Sequence, residues 1–407
     1  MTDSAKSRVS QRVASLSPSG IRKFFDLIIG MEGVISLGVG EPDFATPWHI
    51  REAAIHSLNR GNTHYSSNYG LLELREAINA SLGRRYGISY DPRKQILVTV
   101  GVSEGLDLAM RATLDPGDEI IIPEPSYVSY QPCAILAGAV PVGVVTTAEK
   151  GFQLKASDIE PHITPRTKAI LLGYPNNPTG TILDADSMMS IAELVRKHDL
   201  LVISDEVYDR IVYDHEHVCW ASIPGMKERT ILLGGMSKDY AMTGWRVGYA
   251  AAPDEIIEAM MKVHQYNILC AHTMSLGAAI EALATGDGEV DKMVAEYDRR
   301  RRLIVHGLNA IGLPCVEPKG AFYAFPSIRS TGLTSEQFAE MLLKEEKVAV
   351  VPGSAFGPSG EGHVRCCYAV STKEIEEALR RIERFVRWHR GDHEPSAAQA
   401  QTRNAGR

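Results

Sequence analysis

From Ile96 to Leu233 the chain alternates short apolar runs, rich in β-branched residues, with stretches of helical length. Strands are expected at Ile96–Val100, Glu119–Ile122, Val140–Val144, Ala169–Leu172, Leu200–Ser204 and Ile231–Leu233. Helices are expected at Ser103–Thr113, Tyr127–Leu136 and about Ala185–His198. This order argues an α/β fold: a large, doubly wound, mostly parallel sheet with helices on both faces. Strand ends of such a sheet emerge on one edge, where open α/β proteins keep their chemistry.

The flanks read differently. Upstream lie a short helix over Ile21–Ile28 started by Ser19, a strand at Val34–Leu37, and helices at about 47–59 and 70–85. Downstream come helices at 254–267, 273–285 and 288–310. A smaller α+β unit follows, with strands at Ala321–Phe325, Val348–Val351 and Val364–Tyr368 and helices at Ser335–Glu345 and Thr372–Trp388. The expected organisation is a mobile arm over 1–18, a segment over 19–46 joining the smaller domain, a large domain over 47–285, the small domain over 286–390, and a disordered tail over 391–407.

Composition removes other classes. A length of 407 residues suits two domains, and a net charge of −7 argues against nucleic acid as a partner. No run approaches a membrane span, and Met1–Lys6 has no apolar signal region, so a cytoplasmic protein is expected. The six cysteines show no metal or redox spacing and are expected to be reduced, with Cys366 and Cys367 on opposite faces of a strand. His215-Glu216-His217 reads as a solvated turn, so no metal site is expected, and Arg299 to Arg302 reads as a solvated helix face. Gly38-Val39-Gly40 lacks the third glycine of a dinucleotide loop.

The residues just past each strand carry the chemistry. Gly101-Val102-Ser103-Glu104-Gly105 opens a helix, whose free amides make an anion site. Tyr127 stands at a rim, Asn177 on a proline-stiffened turn, and Asp205 and Tyr208 after one strand. Lys238 comes after another, in Gly235-Met236-Ser237-Lys238. A phosphate cradle, a stacking face, an amide, a carboxylate, a phenol and an amine converge on one edge. Those groups suit pyridoxal phosphate. Asp205 would keep the ring nitrogen protonated, Asn177 and Tyr208 would bond the phenolic oxygen, and Tyr127 would stack on the ring. The amides of Val102, Ser103 and Glu104, the Ser237 hydroxyl and Arg246 would hold the phosphate. Lys238 would form a Schiff base with the aldehyde and then serve as the base.

These stretches resemble a known family. Gly235-Met236-Ser237-Lys238 through Arg246-Val247-Gly248 is similar to the lysine signature of class I/II aminotransferases, of the fold-type-I pyridoxal-phosphate family. Asn177-Pro178-Thr179-Gly180, Asp205-Glu206-Val207-Tyr208, Gly40-Glu41-Pro42-Asp43-Phe44 and Gly353-Ser354-Ala355-Phe356-Gly357 with Val364-Arg365 resemble its other motifs. The resemblance covers residues 15 to 390 and is nearest to archaeal-type aromatic-amino-acid and aspartate aminotransferases. It implies a transaminase moving an amino group from an aromatic or broad range of L-amino acids to a 2-oxo acid such as 2-oxoglutarate, by a ping-pong mechanism. Arg365 would then pair with the substrate α-carboxylate, with Gly40 and Asn177 beside the substrate. Tyr65 would reach the neighbouring subunit's phosphate in a homodimer, and the Asn177–Pro178 bond would be cis. Two positions depart from the pattern: Gly235 stands where many relatives bond the phosphate through serine, and Ser103 where some aspartate-specific relatives carry lysine. An aspartate or alanine aminotransferase, a C–S β-lyase and a non-catalytic sensor on the same fold are the alternatives.

Overall fold

The computed structural model describes residues 8–18, 20, 28 and 30–390. The tail over 391–407 and nearly all of the helix expected at Ile21–Ile28 lie outside the described residues. In the expected arm, Gln11–Ala14 forms one helical turn, and Arg12 donates to the Leu136 carbonyl at 3.2 Å.

Seven strands form the main sheet: β2 (Ile96–Thr99), β3 (Glu119–Glu124), β4 (Val140–Val145), β5 (Thr167–Gly173), β6 (Leu201–Asp205), β7 (Thr230–Gly235) and β8 (Gly248–Ala251). Their order is β2-β8-β7-β6-β5-β3-β4, and β8 alone runs antiparallel to its neighbours. Because β8 is inserted between β2 and β7, those two strands still point the same way, and the carboxyl ends of β2, β3, β5, β6 and β7 share one edge. Strands β2, β3 and β7 are buried almost throughout and apolar in their middles, the signature of a parallel sheet covered on both faces.

The β8 strand was not expected, since Gly-Tyr-Ala-Ala carries no β-branched residue. Packing explains its composition: a Cβ on Gly248 would come within 2.6 Å of the Gly101–Val102 backbone. The strand can lie beside the start of the Gly101–Thr113 helix only because Gly248 has no side chain.

Two smaller sheets complete the fold. β1 (Ile35–Ser36) pairs in parallel with β10 (Val348–Ala349), so the N-terminal segment joins the C-terminal part of the chain. β11 (Val351–Pro352), β12 (Val364–Cys367) and β9 (Tyr323–Ala324) form an antiparallel sheet in that order. The single strand expected at Val348–Val351 is therefore two, changing partner at Val350. The Ser335–Glu346 helix begins with a reciprocal cap between Thr334 and Gln337, and the Ala185–Lys197 helix with Asp184 accepting from the Ser187 amide at 2.7 Å. All six cysteines are free, and Cys366 and Cys367 are both buried. Among the described residues no helix is long and apolar enough to cross a membrane.

The arginine run departs from expectation. Arg299 and Arg302 are exposed, but Arg300 and Arg301 are buried. Arg300 donates to both Asp43 oxygens, at 2.8 and 3.0 Å, and to Glu296 at 2.9 Å. Arg301 is held by Asp298, Glu317 and Asp214. A four-residue run on a helix spreads over about 300° of its circumference, so some members face inward. Those two found carboxylates there.

Candidate active site

A cavity of about 390 Å³ opens at the shared sheet edge. Val102, Ser103, Tyr127, Asn177, Asp205, Tyr208, Ser237, Lys238, Arg246, Gly40 and Arg365 all line it. Of the expected site residues, Glu104 and Tyr65 do not.

The Glu104 exception has a local cause. The helix starts at Gly101, two residues earlier than expected, so the amide of Glu104 is the first that can close an intrahelical bond. The free amides are then those of Gly101, Val102 and Ser103. The Glu104 side chain folds back instead: it accepts from the Val100 amide at 2.5 Å and pairs with buried His264 at 2.7 Å. Tyr65 is 83% exposed and stands outside the cavity, on a loop whose His64 carbonyl accepts from Thr273.

Lys238 follows β7 in a turn of small residues and donates to the Gly40 carbonyl at 2.6 Å. Burial pushes its amine down to about 8. Asp205 ends β6 and is raised to about 6, chiefly by burial; hydrogen bonds from Tyr130 at 2.8 Å and from the Val207 amide at 3.2 Å oppose that shift. Among the described residues no cation is ion-paired with it. Tyr208 and Tyr323 share a hydrogen bond of 2.6 Å between their hydroxyls.

Arg365 enters from β12, 2% exposed. It donates to the Asn177 amide oxygen at 2.9 Å and to the Gly38 carbonyl at 2.6 Å, and lies over the Tyr323 ring. Its Nε is buried without a partner. The Asn177–Pro178 bond is cis, as the resemblance implies, and so are Glu124–Pro125 and Tyr174–Pro175. Arg246 adopts left-handed backbone, φ 55°, and donates to the Thr243 carbonyl at 2.9 Å. Its guanidinium packs on Gly101, where an added Cβ would sit 2.5 Å away. That guanidinium and the first free amides of the helix therefore face one spot.

A family model described as aminotransferase class I and II matches residues 32–382. The chain belongs to that family. Two relatives illustrate its neighbourhood. The aspartate aminotransferase of Pyrococcus abyssi is 49% identical over 93% of this chain and 98% of its own length. Aromatic-amino-acid aminotransferase 2 of Thermococcus litoralis is 47% identical over the same shares. The crystal structure of the aromatic aminotransferase from Pyrococcus horikoshii OT3 superposes with a TM-score of 0.86 at 48% identity, covering 90% of this chain and 99% of that one.

This class I and II aminotransferase carries site residues that sequence reasoning missed. Tyr130 lies three positions beyond Tyr127, one turn further along, which was the only signal for it. Tyr323 reads in sequence as one more core aromatic. Gly38 sits in a motif noticed only for its failure as a nucleotide loop. His217 was expected to be solvated; it pairs with Glu206 at 2.8 Å, beside Trp220 and behind the sheet edge. Among the described residues no group of side chains could hold a metal ion.

The loop bearing Gly40 is anchored from afar. Arg300 clamps Asp43 and lies over the Phe44 ring, three to four residues beyond the Gly40 carbonyl that receives Lys238. Arg300→Ala should lower Tm by roughly 2–4 °C, the worth of one charged hydrogen-bonded pair in a chain this size. It should also raise KM several-fold for every donor, as Gly40 loses its fixed position. Calorimetry and steady-state kinetics check the two effects separately.

Proposed function

We propose that this aminotransferase uses pyridoxal phosphate to move an amino group from an aromatic or broad range of L-amino acids to 2-oxoglutarate. The observation that carries the cofactor assignment is a buried carboxylate lacking a cation, Asp205, lining one cavity with an amine that burial makes easier to deprotonate, Lys238. A protonated ring nitrogen is the cation that would lower Asp205 to the usual carboxylate range. Bound there, pyridoxal phosphate supplies a conjugated electron sink for the carbanion at the substrate Cα.

The chain's own residues would do the rest. Gly101, Val102 and Ser103 amides, Ser237 and Arg246 would hold the phosphate. Tyr130 orients Asp205. The Asn177 amide oxygen is taken by Arg365, so its NH₂ is the donor for the phenolic oxygen, beside the Tyr208 hydroxyl. Tyr127 would cover the ring face. Arg365 would take the α-carboxylate in a forked pair, its unpartnered Nε being one donor. Lys238, its proton affinity lowered by burial, would in its free-amine form lift the Cα proton and return it one position along, the Gly40 carbonyl orienting the amine.

The charge inventory of the cavity supports the donor class. Its cationic lining residues are Lys238, Arg246 and Arg365. With those three assigned to the amine, phosphate and α-carboxylate, the described residues offer no further lining cation to a donor's side chain. Tyr127 and Tyr323 offer aromatic faces. A homodimer fits the large apolar side chains left exposed, among them Trp48, Tyr65, Tyr266 and Ile268.

A screen of L-amino acids against 2-oxoglutarate, read as glutamate formed, tests the proposal. Phenylalanine and tyrosine should give higher kcat/KM than aspartate or alanine. A preference for aspartate would favour the second reading, which rests on the name of the Pyrococcus abyssi relative. Release of ammonia and pyruvate from a sulfur amino acid without any acceptor would replace transamination with C–S cleavage.

A further inference from the structure

Behind the cavity wall, the residues next in sequence to Lys238 and Tyr208 meet. Asp239 and Asp209 are 4% and 8% exposed, and neither lines the cavity. Asp209 Oδ2 accepts from Arg85 at 2.6 Å and from the Tyr86 hydroxyl at 2.7 Å. The carboxyl groups of Asp209 and Asp239 are hydrogen-bonded to each other. An ionised carboxylate has no hydrogen to give, so one member of the pair must be the acid. The second oxygen of Asp239, Oδ1, is sealed from solvent without a partner. A bare buried oxygen is tolerable on a neutral acid and far more costly on an anion. The proton therefore belongs to Asp239, and the charge to Asp209 beside Arg85.

We infer that Asp239 and Asp209 hold one proton between them, and that this acid–carboxylate bridge positions the turn bearing Lys238 against the turn bearing Asp205 and Tyr208. The inference rests on the reading of Lys238 as the reactive amine and deepens it. An ionised Asp239 would stabilise the ammonium form of its neighbour; a neutral one does not. Burial and the Asp209 charge push Asp239 well above the usual carboxylate range. Burial pushes Asp209 up as well, but Arg85, His217 and Tyr86 outweigh it and hold it low.

The sign of the consequence is fixed. Asp239 stays protonated in the folded protein at a pH where the unfolded chain has released that proton. Its stabilisation is complete below about pH 4 and is lost as pH rises toward the raised folded value. The groups facing the pair are Arg85 and Tyr86 from the Leu72–Tyr86 helix, Arg210 and His217 after β6, Tyr240 in the turn after Lys238, and Tyr249 on β8, with Glu206 paired to His217. Burial keeps the phenols of Tyr86, Tyr240 and Tyr249 protonated. Arg85 and Arg210 stay charged. Burial lowers His217, but the Glu206 carboxylate outweighs it and raises it, so its contribution is likewise lost as pH rises.

The test is denaturant unfolding of the full chain from pH 6.5 to 8.5 in a His217→Gln background. Stability of the otherwise unaltered protein should fall with pH more steeply than that of Asp239→Asn, by up to one proton in the linkage slope. The amide of Asp239→Asn donates to Asp209 without titrating. Asp239→Ala loses the bridge and should be less stable than Asp239→Asn throughout. With pyridoxal phosphate loaded, the pH midpoint of the visible absorbance should move by about one unit in Asp239→Ala and return in Asp239→Asn. A merely structural role would lower stability and leave that midpoint alone. Parallel pH profiles for Asp239→Asn and the parent would remove the shared proton, and an unmoved midpoint in Asp239→Ala would remove the positioning role. The proton count needs no colour and no turnover. A protein that stays colourless yet shows the one-proton difference would sink the cofactor reading and keep the bridge.

Discussion

Lys238→Ala should reduce transamination by roughly 10⁴-fold, the upper range for losing a placed proton-transfer group, while the chain stays folded. The stability side follows from burial. An amine lowered to about 8 binds fewer protons in the folded chain than in the unfolded one. Its contribution is present above the ordinary lysine value and is lost as pH falls through 8. At neutral pH the buried amine is therefore a burden, and its removal frees only the Gly40 carbonyl, on the cavity wall. Lys238→Ala should melt at or above the parent temperature at pH 7, with the gap closing at alkaline pH. The same shift sets the kinetics of cofactor capture. The free amine is the nucleophile, so the rate of colour development on adding pyridoxal phosphate should rise about tenfold per pH unit below 8 and level off above it. A Lys238→Ala protein that retains a tenth of parental turnover would take this residue out of the chemistry.

The sheet and most of its edge were readable because a parallel sheet writes its strands as unbroken apolar runs. Such runs cannot write which partner a strand takes. Val348–Val351 looks like one strand because every residue is apolar and extended; its two halves nevertheless serve different sheets. The Gly248–Ala251 strand was invisible for the opposite reason, its small residues answering a close backbone approach that no pattern shows. Register decided Glu104: a helix starting two residues early turns a proposed phosphate donor into the side chain that caps the turn. Arg300, Arg301 and His217 looked solvated because charge is the best local sign of exposure, yet each has a carboxylate waiting outside its own run of charged residues. Asp43, the partner of Arg300, lies 257 positions away in sequence. Lys238, Asp205 and Arg365 were legible because their chemistry, rather than their packing, singles them out.

Arg365→Ala should lower kcat/KM by about 10²–10⁴ for every amino donor, and for the 2-oxo acid as well. Two charge-assisted bonds to a carboxylate, at about 1.5–3 kcal/mol each, give that range. The effect should be uniform because the α-carboxylate is the one group all these substrates share. The arginine also has a duty when no substrate is bound: it spans Asn177 and Gly38, two sides of the cavity, from β12. Its loss leaves the Asn177 amide oxygen and a backbone carbonyl without their donor, so some stability should go too. Arg365→Lys separates the two duties. Lysine restores the charge but has no fork, so it can reach one acceptor well and not hold a carboxylate in plane. It should recover most of the lost melting temperature and about tenfold of the lost kcat/KM, leaving a deficit shared by all donors. A deficit confined to aspartate and glutamate, with phenylalanine and tyrosine spared, would move Arg365 from the α-carboxylate to the side-chain pocket. The charge inventory behind the aromatic preference would then have to be redrawn.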